Sequence, residues 1–228
     1  MPVGAGLGTS AAVSVATVAA YSLALGHKLR PEEIARLGWK TELEVQGSAS
    51  PMDTSIATYG GMIYIKRSGS EVYMRRLKAG KLPLVVGYVR REATTGALVA
   101  KVRELYERHT DLVGEIIRSI GLLTNMAVEL LERGEIEGLG ILMNINHGLL
   151  DALGVSTKQL NDMVYAARSA GAYGSKLTGA GGGGCMIALT PPDLKEEVKT
   201  AISIVGGSVM DVELGGPGIV VERTGHLS

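Results

Sequence analysis

Phenylalanine is absent from the 228 residues, and tryptophan and cysteine occur once each. With aromatic residues at only 4%, a core has to be packed from Val, Ile, Leu, Ala and Met. The single cysteine, Cys185, excludes an intramolecular disulfide and fits a reducing, cytoplasmic setting. A surplus of one charge is also missing. Lys plus Arg and Asp plus Glu number 23 each, so composition makes no electrostatic case for nucleic acid or a membrane surface as partner. The longest apolar run, around Ala11 to Ala20, is too short to span a bilayer and carries Ser14 and Thr17. No signal-peptide pattern is seen. The length allows one large domain or two small ones with real cores.

Glycine is what the chain has in quantity, and two stretches concentrate it. The first is Pro2-Val3-Gly4-Ala5-Gly6-Leu7-Gly8-Thr9-Ser10-Ala11-Ala12, which runs into a helix-forming segment. Glycines at positions 4, 6 and 8 reach positive φ and remove bulk, so backbone N–H groups can wrap an oxyanion. A helix N-terminus adds about half a positive charge, and a hydroxyl at Thr9 or Ser10 can ligate Mg²⁺. The spacing is not the G-x-G-x-x-G of a dinucleotide fold, and the Gly-Lys-Ser/Thr ending of a Walker loop is missing. The second stretch is Lys176-Leu177-Thr178-Gly179-Ala180-Gly181-Gly182-Gly183-Gly184-Cys185. Its apolar flank, Cys185 to Leu189, argues against a flexible linker, which would be polar on both sides. Two such loops, one opening a helix, point to a nucleoside triphosphate and its transferred phosphoryl group.

The periodicities predict an α+β fold. Helices are expected at Ser10 to Leu25, Pro31 to about Val45, Gly96 to Arg108, Asp111 to Arg133, Ile136 to Asn146, Ser156 to Ala170, and from Pro191-Pro192 to about Ile204, with a short helical turn at Asp53 to Tyr59. A hairpin is expected from Gly61 to Lys66 and Glu71 to Leu77. Further strands are expected at Leu82 to Val89, Gly184 to Leu189, Ser208 to Leu214 and Gly218 to Glu222. The second glycine loop then lies between a helix and a strand. The polar stretch Lys78 to Lys81 is a domain boundary, giving domains 1–80 and 81–228.

Outside the loops, the carboxylates of Glu42, Glu44 and Asp53 stand out. Asp53 follows a small-residue loop and precedes Thr54-Ser55-Ile56-Ala57, which does not read as a surface run. Capping of a helical turn is its plainest role. Its chemical role would be as a base beside a substrate hydroxyl in phosphoryl transfer. Glu42 and Glu44 are equally eligible as Mg²⁺ ligands on pattern, although they project about 200° apart on a helix. Thr94-Thr95 opens a helix, where capping is the simple reading. His147 reads as a C-terminal cap, and His27, His109 and His226 as exposed. No spacing of His, Cys or acids suggests a zinc site.

Together these motifs resemble the GHMP kinase family, and within it the archaeal mevalonate kinases. Pro2 to Ala12 is similar to the family's phosphate motif, with Thr9 replacing a serine. Lys176 to Cys185 is similar to its third motif. Val45-Gln46-Gly47 with Ser50-Pro51-Met52-Asp53-Thr54 is similar to its catalytic loop. Thr95-Gly96-Ala97-Leu98-Val99 and Leu153-Gly154-Val155-Ser156 add to the resemblance, which covers essentially the whole chain. It implies a GHMP kinase two-domain fold, with a ribosomal-protein-S5-like N-terminal domain and a ferredoxin-like C-terminal domain. Under it, Asp53 is the catalytic base, Ser10 and Glu42 hold Mg²⁺, Pro2 to Ala12 with Gly179, Gly181 and Gly182 bind ATP, and Thr95 and Ala180 line the mevalonate pocket. The implied activity is phosphorylation of mevalonate in isoprenoid biosynthesis by a cytoplasmic homodimer. Phosphomevalonate or homoserine as acceptor, or a nucleotide-binding module without catalysis, are the alternatives. The family carries about ninety further residues before the phosphate motif, including a lysine paired with the catalytic aspartate and a histidine for mevalonate. A chain beginning at that motif is therefore expected to show apolar surface and open strand edges on its first domain.

Overall fold

The computed structural model describes residues 8–46, 49–68, 71–210, 212 and 214–222. They divide into two compact units, one of residues 8–77 with 214–222, the other of residues 78–212.

In the first unit, three helices pack on one another: α1 (Thr9–Ala24), α2 (Pro31–Gln46) and α3 (Pro51–Tyr59). Small residues let α1 lie close to its neighbours. A Cβ on Gly38 of α2 would come 3.0 Å from Val15 Cγ2 of α1, at ordinary contact only with a small shift. Val15, Ala19 and Ile34 are buried there, with Val18, Leu29, Ala57 and Ile219 around them. Trp39 on α2 donates its indole N–H to the Ala49 carbonyl at 2.9 Å, which pins the entry to α3. The ribbon of β1 (Ile63–Ser68) and β2 (Glu71–Arg76) is antiparallel, as the hairpin pattern predicted. Residues 214–222 return to this unit: Ile219 N–H donates to the Thr58 carbonyl at 3.0 Å. The strand expected at Gly218 to Glu222 is replaced by a single bridge, Gly60 to Pro217. Val13 and Tyr21 of α1, Leu25 just after it, and Val72 and Tyr73 of β2 are exposed.

The second unit is a four-stranded antiparallel sheet in the order β4-β5-β3-β6, formed by β3 (Leu84–Val89), β4 (Gly174–Leu177), β5 (Gly184–Leu189) and β6 (Ser208–Met210). Helices α4 (Thr95–Arg108), α5 (Thr110–Arg133), α6 (Ile136–Ala152), α7 (Lys158–Ser169) and α8 (Lys195–Ile204) complete it, with a 3₁₀ turn at Pro192–Leu194. The main core lies between the sheet and α7 and α8, where Leu160, Met163, Val164, Leu177, Met186, Val198 and Ile202 are closed off from solvent.

Three expectations need correction here. The glycine loop joins two strands, because Gly174–Leu177 pairs with β5 and is not helical. The helix expected to end at Asn146 continues to Ala152, so His147 is an interior residue and caps nothing. The last strand of the sheet is only Ser208–Met210 among the described residues.

Edge strand β4 has its outward backbone groups bonded by side chains. Asn144 Nδ2 donates to the Tyr173 carbonyl at 3.3 Å, and Asn144 Oδ1 accepts from Ser175 N–H at 3.0 Å. Arg168 Nη2 donates to the Ser175 carbonyl at 2.8 Å. His147 Nδ1 accepts from Leu177 N–H at 3.3 Å, and Lys176 Nζ donates to the Leu177 carbonyl at 2.6 Å. A bare edge would offer these groups to another chain, or leave them unsatisfied if buried. The close approach of α6 depends on two glycines: a Cβ on Gly174 would land on the Gly140 carbonyl, and one on Gly140 would land on the Tyr173 backbone. Gly174→Ala is therefore expected to destabilise the protein by about 1–3 kcal/mol through overpacking. An unchanged urea midpoint would show that α6 can simply move away.

Candidate active site

The first stretch of interest begins, among the described residues, at Gly8; Pro2, Val3, Gly4, Ala5, Gly6 and Leu7 lie outside them. Gly8 is the N-cap of α1 in the left-handed region, with φ 71°, and no side chain caps that end. Only glycine takes this conformation without steric cost. Thr9, Ser10, Ala11 and Ala12 follow in the first turn, with Ala11 buried and Ala12 N–H donating to the Gly8 carbonyl at 3.0 Å. This helix end faces Asp53: a Cβ built on Gly8 would lie 3.5 Å from both the Cβ and the carboxyl carbon of Asp53.

Asp53 is held there by the start of α3. Ser50 caps that helix by accepting from Met52 N–H at 3.2 Å, and Pro51 occupies its first turn. The cap is thus Ser50, and Asp53 is left for other work. Its carboxylate makes no hydrogen bond or ion pair to another described residue. Burial raises its pKa above the ordinary carboxylate value. Behind it Thr54, Ser55 and Thr58 are buried, and Thr58 Oγ1 donates to the Thr54 carbonyl at 2.8 Å. Of the two glutamates that pattern could not separate, Glu42 is 7% exposed on α2 while Glu44 is exposed. A carboxylate is rarely buried to that degree without a structural or chemical reason.

The second glycine stretch lies in the other unit and is the connection from β4 to β5. Gly182 N–H donates to the Val155 carbonyl at 2.8 Å, and the Gly182 carbonyl accepts from Glu92 N–H at 2.7 Å. Thr178 N–H donates to the Cys185 carbonyl at 3.0 Å, closing the base of the loop. A Cβ on Gly181 would strike the Val155 carbonyl, and one on Gly183 would come 2.8 Å from Arg91 Cα. The loop is therefore clamped between residues 90–98 and residue 155, and is no linker. Because the Gly182 amide is spent on Val155, Gly182 shapes the loop without offering that N–H to a ligand. Next to it, Thr94 caps α4 by accepting from Ala97 N–H at 3.3 Å, as the capping reading expected. Thr95 Oγ1 accepts from Arg91 Nη2 at 3.2 Å and remains exposed, while Ala180 is half-buried.

Two side chains beside this loop have environments set by burial. Lys176 is held at an edge with its ammonium on the Leu177 carbonyl, and burial lowers its pKa to about 8. Cys185 is buried, and desolvation pushes its thiol up to about 11, so it behaves as a small apolar residue. Among the described residues no cluster of three or more His, Cys, Asp or Glu could hold a metal by itself. None of the described helices is long and apolar enough to cross a membrane.

Comparison with known proteins agrees with this layout. Residues 1–61 match the GHMP kinases N terminal domain, and residues 127–207 match the GHMP kinases C terminal family. The chain is 51% identical over 228 residues to a mevalonate kinase of Pyrococcus horikoshii and 48% identical over 227 to one of Thermococcus sibiricus. Those alignments take in 98% and 97% of this chain and 67% of each relative. Among solved structures, the Methanococcus jannaschii mevalonate kinase superposes with a TM-score of 0.77 at 32% identity, covering 92% of this chain and 64% of that one. The L. major mevalonate kinase in complex with R-mevalonate gives 0.75 at 29%, covering 85% and 61%. The chain thus spans about two thirds of the length of the proteins it matches. With identity near one half to relatives of which it covers two thirds, the chain belongs to the GHMP kinases, a family of ATP-dependent kinases, and to the mevalonate kinases within it.

Proposed function

We propose that this chain transfers the γ-phosphoryl group of ATP to the primary hydroxyl of mevalonate, giving 5-phosphomevalonate. The observation that carries the proposal is the placement of Asp53, a half-buried carboxylate without a partner among the described residues, against the N-terminus of α1, which no side chain caps. A helix end that attracts phosphate and a carboxyl group that accepts a proton are the two components phosphoryl transfer to an alcohol needs side by side.

In this mechanism the residues from Gly4 to Ala12 receive the phosphates, their N–H groups and the α1 dipole countering the charge. The mevalonate oxygen attacks the γ-phosphorus in line. Its O–P bond forms as the bond to the β,γ-bridging oxygen breaks, ADP carries away that electron pair, and the hydroxyl proton passes to Asp53. The pKa of Asp53, raised by burial, makes it a stronger base than an ordinary carboxylate. Gly179, Gly181 and Gly182 would belong to the ATP side, Gly182 through the shape of its loop, and Thr95 and Ala180 would line the acceptor side. Mg²⁺ usually retains waters and takes only one or two protein oxygens beside the phosphates, so the Ser10 hydroxyl and the buried Glu42 carboxylate suit it. When bound it would neutralise charge on the β- and γ-phosphates. The homodimer belongs to the same proposal. Leu122 and Met126 on α5 and Ile141 and Ile145 on α6 are exposed apolar side chains of the kind a subunit contact covers.

The direct test is ADP release with mevalonate, phosphomevalonate and homoserine as acceptors. Turnover with mevalonate alone is expected; turnover with another of the three in its place would move the chain to a different acceptor. Asp53→Asn should lower kcat at least about 100-fold. A loss under about threefold would take Asp53 out of the mechanism.

The same substitution has a stability consequence of opposite sign. A carboxyl group whose native pKa lies above its unfolded value opposes folding wherever both states are ionised, and that opposition fades as pH falls through the native pKa. Asp53→Asn should therefore raise the urea midpoint at neutral pH, and the gain should shrink on acidification. A lower midpoint at neutral pH would mean that the carboxylate stabilises the fold. Ser10→Ala should raise the Mg²⁺ concentration needed for half-maximal rate. An unchanged Mg²⁺ titration would remove Ser10 from the metal site.

A further inference from the structure

The glycine loop between β4 and β5 is anchored from outside the sheet, by side chains of α6. Gly140, Asn144 and His147 fall on one helix face, at i, i+4 and i+7. Gly140 brings the α6 backbone against Tyr173 and Gly174. Asn144 then spans the Tyr173 carbonyl and the Ser175 N–H, and His147 takes the Leu177 N–H, the last outward amide before the loop. These are the contacts a neighbouring strand would make, supplied by a helix.

His147 also reaches the second clamp of the loop. Leu177 N–H donates to Nδ1, so the imidazole is neutral with its proton on Nε2, which donates to Asn161 Oδ1 at 3.0 Å. The same Asn161 oxygen accepts from Ser156 Oγ at 2.6 Å, and Asn161 Nδ2 donates to Asp151 Oδ1 at 3.0 Å. Ser156 adjoins Val155, whose carbonyl accepts from Gly182 N–H at 2.8 Å. One ring thus ties the strand entering the loop to the segment that holds its middle. His147 is 2% exposed, so neither bond has water to replace it cheaply. Desolvation first, and the Arg168 charge second, lower its pKa, opposed by the Asn161 hydrogen bond and the Asp151 carboxylate, with Lys176 adding to the lowering. The neutral tautomer required by the geometry is therefore the one the surroundings favour.

We propose that Asn144 and His147 are positioning residues: they act as the missing edge partner of β4 and set the shape of the Gly179–Gly184 loop. Their effect on catalysis rests on the phosphoryl-transfer reading, whereas their effect on the loop does not.

The test compares His147→Phe, which fills the space and loses both hydrogen bonds, with His147→Gln, whose amide offers an acceptor and a donor in their place. Asn144→Leu, with His147 intact, serves as the second disrupted variant and keeps the test standing if His147→Phe does not fold. Amide hydrogen exchange is read at Ser175, Leu177 and Gly182 and, as the internal reference, at Val86 on β3. For His147→Phe, exchange at Leu177 and Gly182 is expected to rise at least about tenfold more than at Val86, as loss of a buried hydrogen bond implies. Asn144→Leu should raise exchange at Ser175 in the same selective way. His147→Gln should return Leu177 and Gly182 to within about threefold of the parent. A uniform change at all positions, or no rescue by Gln, would overturn the proposal. In the kinase assay, His147→Phe should raise the KM for ATP and for the acceptor more than it lowers kcat. A parent chain silent in that assay would count against the phosphoryl-transfer reading, while the exchange result would still decide the positioning role.

Discussion

The outer edge of β4 is the constraint on which the second unit turns. A four-residue strand has little to hold it, and this one has a partner strand on one side only. Each outward N–H and C=O from the Tyr173 carbonyl to the Leu177 carbonyl is met by Asn144, Arg168, His147 or Lys176. That saturation does two things. It closes an edge that would otherwise recruit another chain, and it fixes the direction in which the backbone leaves the sheet at Leu177. The glycine loop inherits that direction, and the Val155 and Glu92 contacts give it a second point of attachment. A loop of glycines is floppy by itself, since glycine has the most conformational freedom to lose. Here the freedom is removed by neighbours, which leaves a rigid cradle with no side chains in the way.

The first unit solves a different problem, which is to keep a carboxylate partly out of water with no partner among the described residues. The Ser50 cap and the Trp39 bond hold the start of α3, and the packing of α1, α2 and α3 places that start beside Gly8. The cost is visible in the direction of the Asp53 pKa: burial works against its charge, and no cation in the described structure offsets this. A site that opposes folding where it sits is a common mark of chemistry. Close backbone contacts recur in both units. Gly60 and Gly218 in one, and Gly140 and Gly174 in the other, allow segments to approach where a Cβ would collide.

Much of the fold could be read from the residues, for physical reasons that differ by element. Helices with a clear start, such as Thr94 before α4 or Pro31 in α2, and the alternating hairpin β1–β2 were placed within a few residues. Strand β4 was not, because Gly-Ser-Lys-Leu has no β-branched residue and its stability comes from side chains far along the chain, on α6 and α7. The run Gly-Ile-Val-Val-Glu at 218–222 has strong strand propensity yet makes only an isolated bridge beside it, since pairing needs a partner and not just propensity. His147 could not be assigned its role from sequence: its partners at Asn161 and Leu177 are 14 and 30 residues away. The site motifs were legible as motifs, and burial separated Glu42 from Glu44 where spacing could not.

The central claim is that the alcohol, and not water, takes the phosphoryl group. Phosphorus-31 NMR of the protein with ATP, Mg²⁺ and mevalonate measures this directly. The account predicts a phosphomonoester resonance coupled to a methylene group, growing in step with ADP. Inorganic phosphate accumulating in its place, with mevalonate unchanged, would contradict it.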